Sequence, residues 1–177
     1  MGCYKNLPET VLPGVNIVRE LSPYPQAPVF EMEDSENHYV LKAALFGCHR
    51  TLRIQTEIDI LNLVEGMPNI PSLVRDFGYV EQYSAFIKNF VEGVSLSQSG
   101  HRISDVKKQI ELEDAVKTLH KRGVARLDLK ADNVIETPEG NLFLTDLDIA
   151  VRKHQNPEFF NRMAYLDRAY LESNIFE

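Results

Sequence analysis

Arg126-Leu-Asp-Leu-Lys-Ala-Asp-Asn-Val134, with its continuation Asn141-Leu-Phe-Leu-Thr-Asp-Leu-Asp-Ile-Ala150, decides how this chain is read. Asp128, Asn133 and Asp146 stand at the ends of short apolar runs. Between the two halves, Val134-Ile-Glu136 and Leu142-Phe-Leu144 flank Thr137-Pro-Glu-Gly140. That pattern predicts strand, turn, strand. Asp, Lys and Asn at such positions can be turn formers and nothing more. The two halves together, in this order and at this distance, are harder to ascribe to chance than either alone.

Composition sets the frame for that stretch. At 177 residues the prior is one domain, long enough for a proper core. A content of 44% hydrophobic and 25% charged residues predicts a soluble globular chain. A formal net charge of −7 argues against nucleic acid or an anionic membrane as the main partner. No apolar run approaches the ~18 residues a membrane span needs. Met1-Gly-Cys-Tyr-Lys5 leads into Asn6 and Pro8 without an apolar core, so no secretory leader is expected. Asn6 stands where N-myristoylation wants Ser or Thr, so lipidation is not expected. Cys3 and Cys48 form no motif, which fits a reducing cytosol. There are no internal repeats and no low-complexity tracts.

Upstream, residues 1–14 carry Pro8, Pro13 and Gly14 and read as an extended lead-in to a short strand, Val15–Val18. Leu21–Pro28 is punctuated by proline and reads as a loop. Val29–Glu33 and His38–Leu45 alternate well enough for two strands joined by a turn at Asp34–Asn37. Arg50–Val64 reads as a helix with Ile54, Ile58, Leu61 and Val64 in one apolar stripe and Glu57 beside it. Leu73–Gly78 reads as a strand, and Tyr79–Tyr83 with Ser84–Val91 as a hairpin. Ile103–Arg122 is a second long helix, with Ile103, Val106, Ile110, Val116 and Leu119 expected inward and Gly123 as its stop. His120 on this helix is expected to be a packed or helix-end residue, not a catalyst. Asn156-Pro157 is a helix start, and Phe159, Met163, Leu166 and Tyr170 make the stripe expected to dock that helix.

Asp128-Leu-Lys-Ala-Asp-Asn133 resembles the D-L-K-x-x-N core of the protein-kinase catalytic loop, and Thr145-Asp-Leu-Asp148 stands where that family has D-F-G. Tyr39-Val-Leu-Lys42 resembles the V-A-I-K strand. Pro68-Asn-Ile-Pro71, Phe90-Val-Glu-Gly-Val-Ser-Leu96 and Leu119-His-Lys-Arg-Gly-Val124 resemble the family's turn after the first helix, its hinge, and the lead into its catalytic loop. The resemblance covers about residues 15–150. It implies an α+β, protein-kinase-like two-lobe fold. The small lobe, of antiparallel strands and one helix, would span about 15–92, with a hinge near 89–96. A strongly truncated helical large lobe would span 97–177, the whole forming one minimal, atypical kinase-like domain. It further implies an ATP- and Mg²⁺-dependent phosphotransferase, a minimal protein Ser/Thr kinase working in the cytoplasm or delivered into a host cytosol. Phosphoryl transfer is mostly positioning and charge neutralisation. On the resemblance, Asp128 is the base and Lys130 steadies the γ-phosphate. Lys42 contacts the α- and β-phosphates and pairs with Glu57, with Glu65 as the rival partner. Asn133 and Asp146 hold Mg²⁺, and main-chain groups of Asn89, Phe90 and Val91 bind adenine.

The chain departs from the family pattern in four places. No G-x-G-x-x-G lies between the first strands, where Leu21–Pro28 stands instead. Arg126 and Leu127 replace the His and Arg of H-R-D. Asp148 replaces the glycine of D-F-G, either as a further carboxylate near the metal or as a cap of the strand end. The substrate platform is reduced, so a partner protein completing the large lobe is an open expectation. Two other readings stand beside the protein kinase: a sugar, lipid or small-molecule kinase of the same superfamily, and a catalytically weak pseudokinase acting as a protein-binding module. Without the H-R-D arginine, a phosphorylated activation loop lacks its usual partner. Phosphatase treatment of the purified protein is therefore expected to leave any phosphotransfer rate unchanged, and a rate that collapses on dephosphorylation would refute this.

Overall fold

The period-two alternation of one strand organises the N-terminal part of the protein. In β3 (His38–Leu45), Tyr39, Leu41 and Ala43 point to one face and Val40, Lys42 and Ala44 to the other. The computed structural model describes residues 6–22, 24–100 and 102–176. Residues 1–5, with Cys3 and the lipidation reading, lie outside the described residues, as do Pro23 of the proline-rich loop, His101 and Glu177. The chain divides into two units. One takes in the described residues up to Ile58 together with Ser72–Phe90; the other takes in Asp59–Pro71 and the described residues from Val91 onward. Among the described residues no helix is long and apolar enough to cross a membrane.

In the first unit, β1 (Asn16–Ser22), β2 (Val29–Glu33), β3, β4 (Leu73–Val80) and β5 (Tyr83–Asn89) form one antiparallel sheet in the order β1-β2-β3-β5-β4. Phe30 and Met32 of β2, Leu41 and Ala43 of β3, and Tyr83, Ala85 and Ile87 of β5 make the core on one face. Helix α1 (Leu7–Val11) adds Leu7 and Val11 to that core. The lead-in is thus helical over these residues, not extended throughout. Pro8 sits in the first turn, where its missing N–H costs nothing, and Leu7 and Val11 fall one turn apart on one side. The β2–β3 turn is closed by Asp34. Its Oδ1 accepts from the main-chain N–H of Glu36 (2.8 Å) and Asn37 (2.7 Å), and its Oδ2 from the Tyr39 hydroxyl (2.9 Å). These bonds, the main-chain pair first, hold the Asp34 carboxyl below its ordinary pKa.

Two strand expectations change. β1 runs on to Ser22, beyond Val18, with irregular register against β2. Leu73–Val80 is one strand, not a strand followed by a hairpin arm. The irregularity near Gly78 is a bulge (φ +62°), and the reversal comes at Glu81 (φ +53°). Helix α2 (His49–Leu63) carries the expected buried stripe, Ile54, Ile58 and Leu61, with Val64 buried just beyond its end. The unit boundary falls within α2. Residues 59–71, in the range expected for the small lobe, sort with the second unit. There Asn69 Nδ2 donates to the Leu142 carbonyl (2.9 Å) and Asn69 O accepts from Leu144 N–H (2.9 Å).

The second unit holds β6 (Val94–Ser95), α3 (Leu96–Ser99), α4 (Val106–Lys121), β7 (Val124–Ala125), β8 (Val134–Glu136), β9 (Leu142–Leu144), β10 (Val151–Arg152) and α5 (Pro157–Tyr170). β6, β8 and β9 form a small antiparallel sheet, and β7 pairs with β10. The Asp105 carboxylate caps α4, accepting from Lys107 N–H (2.8 Å). Ile103 therefore lies before the helix, buried and bridged to Phe176. Val106 and Ile110, expected inward, are 65% and 52% exposed. The buried face is Leu112, Ala115, Val116 and Leu119, which keeps i, i+3, i+4, i+7 spacing. Gly123, at φ +80°, follows the helix end.

Helix α5 starts at the expected cap, Asn156, whose Oδ1 accepts from Phe159 N–H (3.0 Å). Of the expected stripe, Met163 packs against Ala125, Phe160 and Ala164, but the rest of the docking face is displaced by one residue. Phe159, Leu166 and Tyr170 are exposed, while Phe160, Ala164, Asp167 and then Leu171 are buried. Asp167 explains the shift. Its Oδ2 accepts from Arg126 N–H (2.9 Å) and lies 2.9 Å from His120 Nε2, and its Oδ1 accepts from Leu127 N–H (3.0 Å). One buried carboxylate thus ties α4, α5 and the start of the Arg126–Asn133 segment together.

Two substitutions test these packing arguments. Asp167→Ala strips the acceptor from two main-chain N–H groups and should cost about 2–4 kcal/mol in urea unfolding; a loss under about 0.5 kcal/mol would contradict the anchoring. At Gly93 an added Cβ would press on the Glu136 carbonyl oxygen and come within 2.8 Å of Ile135 Cγ2. Gly93→Ala should therefore destabilise by about 1–3 kcal/mol through overpacking, read as a lowered Tm.

Candidate functional site

In the second unit the segment after β7 makes two left-handed steps. Arg126 has φ +62° and Asp128 φ +48°, conformations uncommon for residues other than glycine. Leu127 between them is buried. Driving Leu127 inward presents the Asp128 side chain away from the core, and Asp167 holds the two N–H groups that the turn exposes. Residues held in sparsely populated backbone regions cluster at functional sites. The Asp128 Oδ2 atom accepts from Lys130 Nζ (2.8 Å) and from Asn133 Nδ2 (3.0 Å). Asn133 Nδ2 also donates to the Asp128 carbonyl (3.0 Å). Both bonds use the amide nitrogen, which turns the amide oxygen the other way.

Lys130 is about half exposed, and its pKa is raised chiefly by the hydrogen bond to Asp128, with Asp146 and Asp132 adding charge. Asp132 itself is engaged by the Ser97 hydroxyl. The Asn133 carbonyl accepts from Thr145 N–H (3.0 Å) and from the Thr145 hydroxyl (3.3 Å), which fixes the chain just before Asp146. Asp148 N–H lies 3.4 Å from Asp146 Oδ1 in the turn that follows. Asp128, Lys130 and Asn133 therefore form one bonded cluster, and Asp146 follows the Thr145 that is tied to it. The set Asn133, Asp146 and Asp148 offers oxygen donors only, which suits a hard cation such as Mg²⁺. Among the described residues no group of three or more His, Cys, Asp or Glu side chains is placed to hold a metal by itself.

In the first unit Lys42 leaves β3 on the face opposite the core. Its Nζ is 2.6 Å from Oε2 of Glu57, which is fully buried. Glu65, the rival partner, is exposed. Glu57 has a second lysine: Lys88 of β5 places Nζ 2.5 Å from Oε1. Of the residues expected to meet adenine, Asn89 N–H donates to the Ser72 carbonyl (3.0 Å) and Phe90 N–H to the His38 carbonyl (2.9 Å). The Phe90 ring stacks on His38 with centroids 4.2 Å apart.

Sequence reasoning passed over Lys88 and Asp167. Each had a signal. Lys88 is a lone charge inside Tyr83–Asn89, a strand otherwise apolar enough to be buried on both faces, and a charge so placed must be paired. Asp167 interrupts an apolar stripe on α5, where an acid ordinarily marks the solvated face.

No family model matches the chain. Serine/threonine-protein kinase AGC1-5 of Arabidopsis thaliana is 30% identical over 124 residues, which is 66% of this chain and 21% of that protein. Protein kinase PINOID of Oryza sativa subsp. japonica is 28% identical over 98 residues, 51% of this chain and 20% of that protein. The chain thus spans less than a quarter of the length of these curated relatives. Among solved structures, the Cydia pomonella granulovirus kinase PK-1 is similar with a TM-score of 0.64 and 19% identity, over 84% of this chain and 56% of that one. The autoinhibited serine kinase domain of the giant muscle protein titin gives 0.63 and 19%, over 78% of this chain and 46% of that one. The chain thus has a protein-kinase-like α+β fold and is similar in sequence to Ser/Thr protein kinases.

Proposed function

We propose that the chain is an ATP- and Mg²⁺-dependent phosphotransferase that passes the γ-phosphate of ATP to a Ser or Thr hydroxyl of a protein. The observation that supports this reading best is the Asp128–Lys130–Asn133 cluster, with both bonds on one carboxylate oxygen. That arrangement leaves Oδ1 of Asp128 as the atom assigned to the attacking hydroxyl, whose proton it would accept. Lys130, paired with the base and raised in pKa, stays protonated at neutral pH and would meet the γ-phosphate oxygens. Asn133 and Asp146 would hold Mg²⁺ through their side-chain oxygens, with Asp148 as a further carboxylate. Bound there, the ion would neutralise charge on the β- and γ-phosphates. Lys42, positioned by Glu57, would contact the α- and β-phosphates. With the N–H groups of Asn89 and Phe90 already donating, the adenine edge falls to Val91 N–H and the neighbouring carbonyls.

The test is incubation with Mg²⁺ and γ-labelled ATP beside a cell lysate. Label on protein bands is expected. Asp128→Ala should reduce it about 10²–10⁴-fold, the usual worth of a positioned base. Asp146→Ala and Lys42→Met should each abolish detectable label. Transfer that survives Asp128→Ala would overturn the assignment of the base. Label confined to small molecules would move the acceptor to a sugar, lipid or metabolite. If no label is transferred and ATP gives no thermal stabilisation, the protein-binding module replaces the enzyme.

A further inference from the structure

The second unit gathers positive charge that the proposed chemistry leaves unused. Lys121, Arg122, Arg152, Lys153 and His154 line one surface cavity of about 490 Å³, with Gly123 and Pro157 completing its wall. The whole chain, by contrast, has a formal net charge of −7. Two segments remote in sequence meet at this cavity, and main-chain pairing holds them there. Arg152 pairs with Val124 across β7 and β10, and Lys153 N–H donates to the Gly123 carbonyl (2.8 Å). A Cβ added at Gly123 would meet Lys153 Cβ at 3.4 Å, so the two segments lie in contact.

The charge is not neutralised from within. Among the described residues no carboxylate forms an ion pair with any of the five basic residues. Glu158, in the first turn of α5, is exposed. Arg122 gives one N–H to the Leu63 carbonyl (3.1 Å), and Lys153 Nζ lies 5.9 Å from the centre of the Phe160 ring. Neither contact removes a charge. Helix dipoles account for only half of the arrangement. Lys121 and Arg122 stand at the end of α4, where cations are favoured. Arg152, Lys153 and His154 come just before the start of α5, where the dipole disfavours them. An anion in the cavity would offset both that penalty and the mutual repulsion of the Lys and Arg charges. We propose that the cavity binds the phosphate of a phosphorylated serine or threonine on a partner protein. Such a group brings a charge of about −1.5 to −2 and three acceptor oxygens, and the guanidinium forks of Arg122 and Arg152 match it. The charges converge on one concavity, which suits one focused anion and not the long phosphate backbone of a nucleic acid. Four of the five basic residues are exposed and Arg152 is half-buried, so the cavity is open. A free small anion wants a pocket that covers most of its surface. A phosphate on a peptide is held by its flanking chain as well.

Fluorescence anisotropy on the purified full chain tests this without nucleotide, so the result does not depend on phosphotransfer. The probes are two labelled peptide pools with randomised flanks, one with a central phosphothreonine and the other with threonine. The phosphorylated pool should bind at least about tenfold more tightly, and equal affinities would overturn the proposal. Lys121→Glu with Lys153→Glu should abolish the preference. Arg102→Glu with Lys107→Glu makes the same change in net charge at exposed positions that do not line the cavity. Lys107 lies about 20 Å from Lys121 along α4. This control should keep the preference, and an equal loss in it would mean attraction by overall charge, not a site. Should the Lys121 and Lys153 double variant fail to fold, Lys121→Ala with Lys153→Ala removes the charges without reversing them. It should weaken phosphopeptide binding about tenfold, and an unchanged Kd would again overturn the proposal. Pyrophosphate and a short oligonucleotide serve as competitors. If either displaces the phosphorylated pool at an equal concentration, the cavity belongs to a free anion or to nucleic acid, and the peptide assignment falls.

Discussion

A negative charge shut away from water is the constraint around which the first unit is arranged. Glu57 stands on α2 with no exposure, and its desolvation would be costly without a cation in contact. Supplying that cation dictates much of the surroundings. β3 must place Lys42 outward from the core face, β5 must carry Lys88 one row away, and the intervening register must be free of slips. It is: β3 and β5 pair without a bulge from Tyr39–Asn89 to Leu45–Tyr83. The irregular registers lie in the outer pairings, β1 with β2 and β4 with β5. A one-residue slip between β3 and β5 would move a lysine to the apolar face and leave the carboxylate short of a partner.

The second unit uses a buried carboxylate in another way. Asp167 is satisfied mainly by main-chain N–H groups, at Arg126 and Leu127, with His120 beside it. Its task is to hold a strained turn. Left-handed backbone at Arg126 and Asp128 is maintained only if the surroundings over-determine it. Three restraints do so: the Asp167 bonds, the burial of Leu127, and the Asn133 amide closing back onto the Asp128 carbonyl and carboxylate. This turn sets where the Asp128 carboxylate points, so a residue remote in sequence governs the orientation of the candidate base.

The local elements were largely legible. The bounds of β2, β3, β8 and β9, the cap of α5, and the stop after α4 follow from alternation, turn residues and caps, all of which act over a few residues. The cluster of Asp128, Lys130 and Asn133 was legible for the same reason, because its three members lie within six residues of chain. The pairing of Lys42 with Glu57 was reachable only through a family resemblance, since nothing local links a strand lysine to a helix acid fifteen residues away.

What the residue string determined by itself was therefore the short-range order: which segments are strands or helices, and which polar side chains cluster within one turn. Tertiary structure decided which face of α4 and α5 is buried, that Lys88 joins Glu57, and that Asp167 reaches back forty residues to Arg126 and Leu127. The physical reason is the same in each case. A hydrophobic stripe has no preferred partner written into it, and a charge reads as solvated until its neighbours are known. Val106, Ile110 and Leu166 look like core and are exposed, while Glu57, Lys88 and Asp167 look like surface and are buried. Burial of a charge depends on the partner's position in space, and only the packed fold supplies it.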